Sequence, residues 1–541
     1  MRERDESVLV DLVEARAEQY PDLDVVTFEH LSLDGLSTPD EVRTYSDLYD
    51  NGLRIATALI RLGLRPGDRF ALMMRNHPEF VETMVAASAS GSIFVPVDPR
   101  TRADKLAYML ANSGSRGIVC ADYTLEEVAK ARAMVPDVEW VLALETGEGP
   151  GTVDLGDVSG VESMRSVLEG PVPSAIARPA VPDDALQITY TSGTTGDPKG
   201  VVASNARFVG AGMLGLLFDY QPDERPYTGL SMTHSNALSV TLLPALTLGL
   251  RAVMSRKFTK SRLWEVLRHY GCTTFSLVGG MATAIYSEPT RPDDGDNRVR
   301  MVVSGGMPAA IWEAFERRFD LRVLEFYGAV DGGGMAYKPI GQGPPGSVGK
   351  PIGTVDMKIL DEDGRECPAG VIGEICCRPS DGSPATVPYF RDPLASADKV
   401  RDGWIRSGDM GHSDVDGWLF FDYRSGGGIR RNGDFINSGF VERVIAEHPQ
   451  VDDVFVYGVP IQGGTPGEKD VVAAIVPVVE TAFDAASVFA ACSRALEPNF
   501  VPTYLQLVVE LPKTPSEKPQ ERLLLERFDA HAPNVFTAAE G

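Results

Sequence analysis

The chain has 541 residues, of which 43% are apolar and 23% are charged, and its 51 basic and 76 acidic residues give a formal net charge of −25 at pH 7. This apolar content supports packed cores and excludes a disordered acidic polypeptide, while the length predicts more than one domain. The acidic balance argues against general binding to nucleic acids or anionic membranes, because both functions require diffuse positive charge.

The six cysteines and the apolar runs bear on the cellular compartment of the protein. The cysteines form no C-x-x-C pair and have no regular spacing, so we expect reduced thiols rather than disulfides or a zinc site. The charged N-terminus lacks the apolar stretch of a secretory signal. The most apolar run, residues 240–254, is broken by Pro244 and Arg251 and is too short to span a bilayer. We therefore expect a cytoplasmic protein without a membrane span.

The predicted elements begin with an amphipathic helix, because Val8, Leu9, Leu12 and Val13 fall on one helical face. Helical and strand-like segments then alternate through most of the first 420 residues. The first of these are helices over residues 43–64, 78–90 and 103–113 and strands over residues 69–74 and 93–97 and from residue 117. Short apolar runs alternating with helices predict parallel sheets covered by helices on both faces.

The pattern changes at residues 426–428, which are three consecutive glycines. Such a run is disfavoured inside a helix or strand and therefore suits a connection between domains. A smaller α+β pattern follows, with helices over residues 440–448 and 482–496 and strands over residues 451–459 and 471–478. We predict an α/β protein with a large N-terminal domain, residues 1–426, and a small α+β C-terminal domain, residues 427–541.

Residues 188–202 read ITYTSGTTGDPKGVV and carry the strongest chemical signal. Glycines let the backbone turn and present N–H groups, hydroxyls add donors, and Lys199 supplies a compact positive charge. Together these features predict a polyphosphate-binding loop. Its spacing, G-x-x-G-x-x-K, is not that of a Walker A loop. The candidate ligand-binding residues are Thr191, Ser192, Gly193, Thr194, Thr195, Gly196 and Lys199.

On this motif the chain resembles the adenylate-forming superfamily, which includes acyl-CoA synthetases, peptide-synthetase adenylation domains and luciferases. The text TSGTTGDPKG matches the phosphate-loop signature of that superfamily almost letter for letter, and residues 255–330 are most similar to its crotonobetaine/carnitine-CoA ligase branch. The resemblance implies that the small C-terminal domain is mobile. It also implies that a carboxylate attacks ATP to give acyl-AMP and pyrophosphate, after which the thiol of coenzyme A displaces AMP.

Further motifs follow in the order of the family. The adenine-contacting turn corresponds to Ser304, Gly305, Gly306, Met307 and Pro308. The Y-G-x-T-E position is occupied by Tyr327, Gly328, Ala329, Val330 and Asp331, and the G-E-I strand by Gly373, Glu374 and Ile375. Five more residues each match one family role. Asp409 corresponds to the aspartate that binds the ribose hydroxyls, and Arg424 to the arginine beside the hinge. Arg430 would bind anionic ligands, Gly433 would line the pantetheine tunnel, and Lys518 would be the adenylation lysine.

The resemblance also implies the cofactors ATP or AMP, Mg²⁺ and coenzyme A. Thr195 and Asp331 are the predicted magnesium ligands, and magnesium and lysines would offset the charge that develops on the phosphoryl oxygens. Lys518, Asp331 and His234 are the predicted catalytic residues. His234 takes the position of a family aromatic or histidine that lines the acyl pocket, and a structural histidine is the alternative.

Three departures from the family matter, and the changes at Val330 and Asp331 bear on the ATP half-reaction. Val330 replaces a threonine whose hydroxyl faces the α-phosphate, and valine cannot donate a hydrogen bond. Asp331 replaces a glutamate and is shorter by one methylene, while residues 332–334 are glycines that can reshape the loop. The hinge position falls at about Gly427, which loosens the hinge.

One hypothesis is therefore a ligase that thioesterifies an acyl-adenylate supplied by an upstream partner enzyme. The chain also resembles some diterpenoid-pathway acyl-CoA ligases of secondary metabolism, in which such a division of labour is suspected. The other hypothesis is that both steps run.

The substrate is indicated only by small residues. Gly279, Gly280 and Ala282 leave space for a bulky, mostly apolar carboxylic acid. An adenylation enzyme that loads a carrier protein is the neighbouring alternative, disfavoured because residues 234–240 contain no aspartate to pair with an amino-acid ammonium. A non-catalytic descendant is disfavoured by the intact Lys199, Asp409, Arg424 and Lys518. A homodimer is one option for the assembly.

Overall fold

The computed structural model describes residues 3–34, 38–148, 155, 160–174, 178–191, 198–278, 280–332, 334–353, 355–424, 429–431, 434–436, 438–461, 469–496, 498–514, 517 and 519–537. Its contacts divide the chain into two compact units, Met1–Ser276 with Pro388–Ser396 and Leu277–Val387 with Ala397–Gly541.

The described helices and strands alternate along most of the chain. The helices are α1 (Leu9–Gln19), α2 (Leu31–Asp34), α3 (Tyr45–Arg61), α4 (Pro78–Ser90), α5 (Ala103–Ser113), α6 (Leu125–Met134), α7 (Met164–Leu168), α8 (Asn205–Gly210), α9 (Leu214–Leu217), α10 (Leu243–Leu248), α11 (Leu263–Tyr270), α12 (Met281–Tyr286), α13 (Trp312–Phe319), α14 (Pro393–Asp398), α15 (Ser438–Ala446), α16 (Ala485–Ala495) and α17 (Glu521–Glu526). The strands are β1 (Asp24–Glu29), β2 (Glu41–Thr44), β3 (Arg69–Met73), β4 (Ile93–Pro96), β5 (Ser115–Ala121), β6 (Trp140–Leu144), β7 (Val161–Ser163), β8 (Ala185–Tyr190), β9 (Gly200–Ser204), β10 (Pro226–Thr228), β11 (Ala252–Ser255), β12 (Thr274–Val278), β13 (Met301–Gly305), β14 (Arg322–Gly328), β15 (Met335–Lys338), β16 (Ser347–Pro351), β17 (Val355–Leu360), β18 (Gly373–Pro379), β19 (Val400–Arg401), β20 (Trp404–Ser413), β21 (Leu419–Arg424), β22 (Ile429–Arg431), β23 (Asp434–Ile436), β24 (Val451–Pro460), β25 (Lys469–Pro477), β26 (Tyr504–Leu507) and β27 (Val535–Thr537).

In the first unit, a seven-stranded sheet has the order β7-β6-β5-β3-β4-β8-β9. Its pairs are parallel except for β8 and β9, which are antiparallel. The side chains of β3, β4, β5, β6 and β8 form one core with those of α5 and α6. The predicted α/β class is thereby confirmed. The predicted helix over residues 43–64 begins at Tyr45 because Thr44 and Asp47 form a capping box, in which each side chain accepts the other residue's backbone N–H.

In the second unit, antiparallel pairing links the strands from β14 to β15, β16, β21, β20, β18 and β17. A separate four-stranded sheet, β24-β25-β26-β27, packs with α15 and α16 around its own core. This sheet confirms the predicted small α+β part of the fold. The predicted boundary between residues 426 and 427 lies outside the described residues and stays a prediction. Among the helices described, none combines the length and apolar character that a bilayer crossing demands.

Candidate active site

The predicted phosphate loop is held at both ends by one hairpin of the first unit. β8 and β9 are antiparallel, with Tyr190 opposite Gly200. The backbone N–H of Thr191 donates to the carbonyl of Lys199 at 2.9 Å, and the N–H of Lys199 donates to Oγ1 of Thr191 at 3.3 Å. The hairpin therefore fixes where the loop leaves the sheet and where it returns. The loop residues Ser192, Gly193, Thr194, Thr195 and Gly196 lie outside the described residues, so their phosphate and metal roles stay predictions.

Lys199 is exposed beside this loop and lies over an aromatic ring. Its Nζ is 5.2 Å from the centroid of the Tyr389 ring. Tyr389 is itself fixed by an antiparallel bridge to Val201, and the neighbouring Phe390 N–H donates to the Gly200 carbonyl at 2.7 Å. A cation–π contact holds the ammonium near the loop without neutralising its charge. Lys199 is thus suited to bind an anionic group.

His234 lies in a turn that precedes an unusual helix. Its backbone N–H donates to the Ser231 carbonyl at 3.1 Å, and a π-helix follows over residues Ala237–Leu242. π-Helical turns are rare and occur often at functional sites. The imidazole is half-buried, and its predicted place in an acyl pocket stays a prediction.

In the second unit, two predicted residues, Tyr327 and Arg424, converge on the carboxylate of a third, Asp409. Asp409 on β20 is buried, and its Oδ2 accepts a 2.6 Å hydrogen bond from the Tyr327 hydroxyl on β14. Arg424, opposite Asp409 in the β20–β21 pair, places Nη1 2.9 Å from Oδ1. This oxygen receives no well-aligned hydrogen bond from any described residue. Asp409 is thus held between a phenol and a guanidinium, and its role in binding the ribose hydroxyls stays a prediction.

The ionisation state of Tyr327 matches its role as the donor in this pair. Burial, followed by the Asp409 carboxylate, raises the pKa of the Tyr327 hydroxyl above its ordinary value. The phenol therefore stays protonated and donates a hydrogen bond to Asp409 across the physiological range.

Glu374 supports the backbone on which Asp409 sits. Its Oε1 accepts a hydrogen bond from the Gly408 N–H at 2.8 Å, and its Oε2 lies 2.8 Å from Nε of Arg406. Gly408 has a φ of +79°, a conformation that glycine adopts without strain. The Asp409 N–H donates to the Ser407 hydroxyl at 2.9 Å. The G-E-I strand therefore positions the S-G-D turn.

A residue that sequence reasoning missed holds the predicted adenine-contacting turn. Glu325 on β14 is buried and accepts hydrogen bonds from the backbone N–H groups of Gly306 and, at 3.1 Å, Met307. Ser304 lies opposite Glu325 in the parallel β13–β14 pair. Burial raises the pKa of the Glu325 carboxyl to about 8. An acidic residue inside the apolar strand RVLEFYG was the available signal for it.

Replacing Glu325 with glutamine should change how stability depends on pH. The folded-state pKa of about 8 lies above that of an unfolded glutamate, so the wild-type free energy of unfolding should fall as pH rises from about 4.5 towards 8, by at most about 1.4 kcal/mol per pH unit. At pH 6 the variant should be less stable by about 1–3 kcal/mol, because one backbone N–H loses its acceptor. Between pH 6 and pH 8 the difference in the free energy of unfolding should shrink by about 2–3 kcal/mol, so that it vanishes or reverses. Urea unfolding at both pH values measures it, and a constant gap would contradict the assigned ionisation.

The altered Y-G-x-T-E segment places Asp331 against a lysine. Asp331 is buried, and its Oδ2 lies 2.9 Å from Nζ of Lys399, a residue that sequence reasoning did not single out. The family implies a magnesium ion near Asp331, and magnesium is often bound by one carboxylate together with phosphate oxygens. Here an ammonium group already binds that carboxylate. Across the described part of the chain, no three acidic, histidine or cysteine side chains gather into a metal site. The residues as arranged do not fit a magnesium ion on Asp331, whose metal role stays a prediction.

Three further predicted residues, Lys518, Gly433 and Arg430, have no described side-chain geometry. Lys518 and Gly433 lie outside the described residues. The backbone of Arg430 belongs to β22 and pairs with Phe435 of β23, while its side chain is not described. Their roles in adenylation and in coenzyme A binding stay predictions.

Comparisons with known proteins agree with the motifs. A family model described as "AMP-binding enzyme" matches residues 13–382, and one described as "AMP-binding enzyme C-terminal domain" matches residues 441–518. A crotonobetaine/carnitine–CoA ligase of Salmonella choleraesuis (strain SC-B67) is 27% identical over 88% of this chain and 91% of its own length. The medium/long-chain-fatty-acid–CoA ligase FadD17 of Mycobacterium marinum is 30% identical over 91% of this chain and 92% of its own. The resemblance inferred from the motifs is thus confirmed.

Solved structures show the same fold. The anthranilate CoA ligase AuaEII in complex with anthranoyl-AMP has a TM-score of 0.80 at 20% identity, over 96% of both chains. ATP-bound MatB from Rhodopseudomonas palustris has a TM-score of 0.75 at 23% identity, over 96% of this chain and 98% of that one.

Proposed function

The chain belongs to the AMP-binding enzyme family, and from this premise we propose that it joins a bulky, mostly apolar carboxylic acid to coenzyme A through an acyl-AMP intermediate. It is an acid–thiol ligase of the AMP-forming type, the class to which its relatives named CoA ligases belong. The observation that carries the nucleotide half of the proposal is the buried Asp409, whose carboxylate accepts a hydrogen bond from Tyr327 and faces Arg424, so that three motif residues meet at one point.

The proposed chemistry has two steps. A carboxylate oxygen of the acid attacks the α-phosphorus of ATP, and pyrophosphate leaves. The sulfur of coenzyme A then attacks the acyl carbonyl carbon, its proton is lost to solvent, and AMP leaves. Lys199 beside the loop and Lys518 would offset negative charge on the phosphoryl oxygens in the first step.

Support for the acyl group comes from small and uncharged residues in the sequence. Gly280 is exposed before α12, Ala282 is fully buried on that helix, and Gly279 lies outside the described residues. The segment HSNALSV, residues 234–240, contains no Asp, Glu, Lys or Arg. An amino-acid ammonium would have no carboxylate partner there, which disfavours an enzyme that loads aminoacyl groups on a carrier protein. A homodimer and a cytoplasmic location stay predictions.

Product analysis by mass spectrometry tests the proposed function. The full chain is incubated with a panel of aromatic and medium-chain acids, with ATP and coenzyme A added separately and together. We expect acyl-AMP with ATP alone and acyl-CoA when both are present. If neither the acids with ATP nor synthetic acyl-AMP yields acyl-CoA, the proposed ligase activity is refuted.

A second candidate is a ligase that only thioesterifies an acyl-adenylate made by an upstream enzyme. Val330 has no hydroxyl for the α-phosphate, and the Asp331 carboxylate is paired with Lys399. Both features weaken the ATP half-reaction and leave the thioester half-reaction unchanged. Fast ATP-dependent pyrophosphate release by the wild type would refute this candidate.

The combined change of Val330→Thr and Asp331→Glu should raise pyrophosphate release with the correct acid. We expect an increase of about 10- to 100-fold, because a displacement of about 1 Å at a reacting centre can cost that much. The rate of acyl-CoA formation from synthetic acyl-AMP serves as the control and should stay within about twofold. A change in both rates by the same factor would contradict the assignment.

A further inference from the structure

The contact between Lys399 and Asp331 is a buried ion pair within the second unit. Nζ of Lys399 lies 2.9 Å from Oδ2 of Asp331, and the two side chains are only 17% and 11% exposed. The same ammonium lies 3.3 Å from the carbonyl oxygen of Ser407, to which it donates a second hydrogen bond. The lysine is therefore bound from two sides rather than extended into solvent.

The backbone of Lys399 is fixed beside the strand that carries the ribose-binding aspartate. Its carbonyl accepts a hydrogen bond from the Arg406 N–H at 2.9 Å. Val400, which follows it, pairs with Ile405 in the short β19–β20 ladder. Ser407, the second partner of the ammonium, is two residues from Asp409. Lys399 thus links the altered Y-G-x-T-E segment to the turn that holds the nucleotide.

Gly332 and Gly334, which follow Asp331, lie against neighbouring strands. The Cys377 thiol donates to the Gly332 carbonyl at 3.0 Å, and Gly332 has a φ of +89°. A Cβ atom on Gly334 would lie only 2.9 Å from Sδ of Met357. Gly332 and Gly334 are thus held against β18 and β17, next to the Asp331–Lys399 pair.

The geometry points to Lys399 as the permanent counter-ion of Asp331, in the place where the family resemblance puts a divalent cation. Replacing the lysine with a metal ion would leave a buried ammonium without its carboxylate, which is costly. Magnesium also gives up its water reluctantly and needs well-placed oxygen ligands. This inference rests on the proposed function: the chain binds ATP, but Asp331 does not contribute to metal-dependent nucleotide binding.

The test compares the binding of α,β-methylene-ATP in magnesium and in EDTA by calorimetry. The measured quantity is the dissociation constant in EDTA divided by that in magnesium. It is determined for the wild type, Lys399→Met, Asp331→Asn and the double variant. We expect Asp331→Asn alone to leave the ratio unchanged, since its carboxylate does not bind the metal. Lys399→Met should raise the ratio on the order of tenfold, because the carboxylate is then exposed to the cation. The double variant should lose that gain, and Lys399→Arg is the charge-conserving control.

Two results would overturn the inference. One is a tenfold fall in the ratio on Asp331→Asn in the otherwise wild-type chain. The other is an unchanged ratio in a folded Lys399→Met variant.

Thermal unfolding separates this inference from the proposed function. If the wild type binds the analogue in neither buffer, the proposed function fails while the ion pair is still tested. Lys399→Met should lower the unfolding midpoint by several degrees, because it leaves a buried carboxylate uncompensated, and the double variant should recover most of that loss. Additive effects of the two substitutions would overturn the pairing.

Discussion

Replacing Asp409 with alanine should lower kcat/KM for ATP by about 30- to 4,000-fold. This factor corresponds to roughly 2–5 kcal/mol, the usual cost of removing one partner of a buried, hydrogen-bonded charge pair. The carboxylate binds Tyr327 and faces Arg424, and the alanine variant leaves both groups without it. The ribose also loses its acceptor. We expect acyl-CoA formation from synthetic acyl-AMP to fall as well, because AMP is present in both half-reactions.

Two variants separate recognition from general damage to the hairpin. Asp416→Ala changes an exposed aspartate in the turn between β20 and β21 and should leave both half-reactions unchanged. Asp409→Asn keeps one hydrogen-bond acceptor but removes the charge that faces Arg424, so its loss should be intermediate. Dissociation constants for AMP, measured by calorimetry, should follow the same order. If Asp409→Ala binds AMP as tightly as the wild type, the ribose assignment is wrong.

The sheets and the nucleotide motifs could be predicted from local patterns. Helices α4 and α5 match the predicted bounds, because each ends at a glycine with positive φ, Gly91 or Gly114, and α4 begins with a proline. Asp409 and Arg424 were each identified from a motif, and the structure adds that they face each other. Features that depend on neighbouring residues alone, such as helix ends and short motifs, could therefore be predicted from the sequence.

Partners distant in sequence could not be predicted from local patterns. Lys399 meets Asp331 because the β19–β20 hairpin places it there, and nothing in the text ADKVRDGW indicates that contact. Glu325 meets the Gly306–Met307 backbone only once β13 and β14 are paired. Both contacts join groups whose sequence separation hides them, and both modify the chemistry that the motifs imply. The departures at Val330 and Asp331 were visible in the sequence, whereas the ion pair between Asp331 and Lys399 was not.

Lys518→Ala should separate the two half-reactions. If this lysine serves adenylation alone, pyrophosphate release should fall by about 10²- to 10³-fold, the usual cost of removing one group that stabilises developing charge. Acyl-CoA formation from synthetic acyl-AMP should stay within about twofold, since that step needs no pyrophosphate leaving group. The contrast with Asp409→Ala, which should impair both steps, makes the pair of variants more informative than either alone.

The control for Lys518 is a nearby lysine with a different partner. Nζ of Lys513 lies 2.6 Å from Oδ2 of Asp453, so its charge is already engaged, and Lys513→Ala should spare both half-reactions in the folded variant. If the wild type releases little pyrophosphate, the comparison moves to the chain carrying Val330→Thr and Asp331→Glu, in which the adenylation rate should be measurable. Equal losses in the two half-reactions of Lys518→Ala would show that the residue acts on folding or on AMP binding rather than on the transfer to the α-phosphate. An unchanged pyrophosphate release would remove Lys518 from the mechanism, because a lysine that offsets charge at the phosphoryl oxygens cannot be deleted without slowing the step.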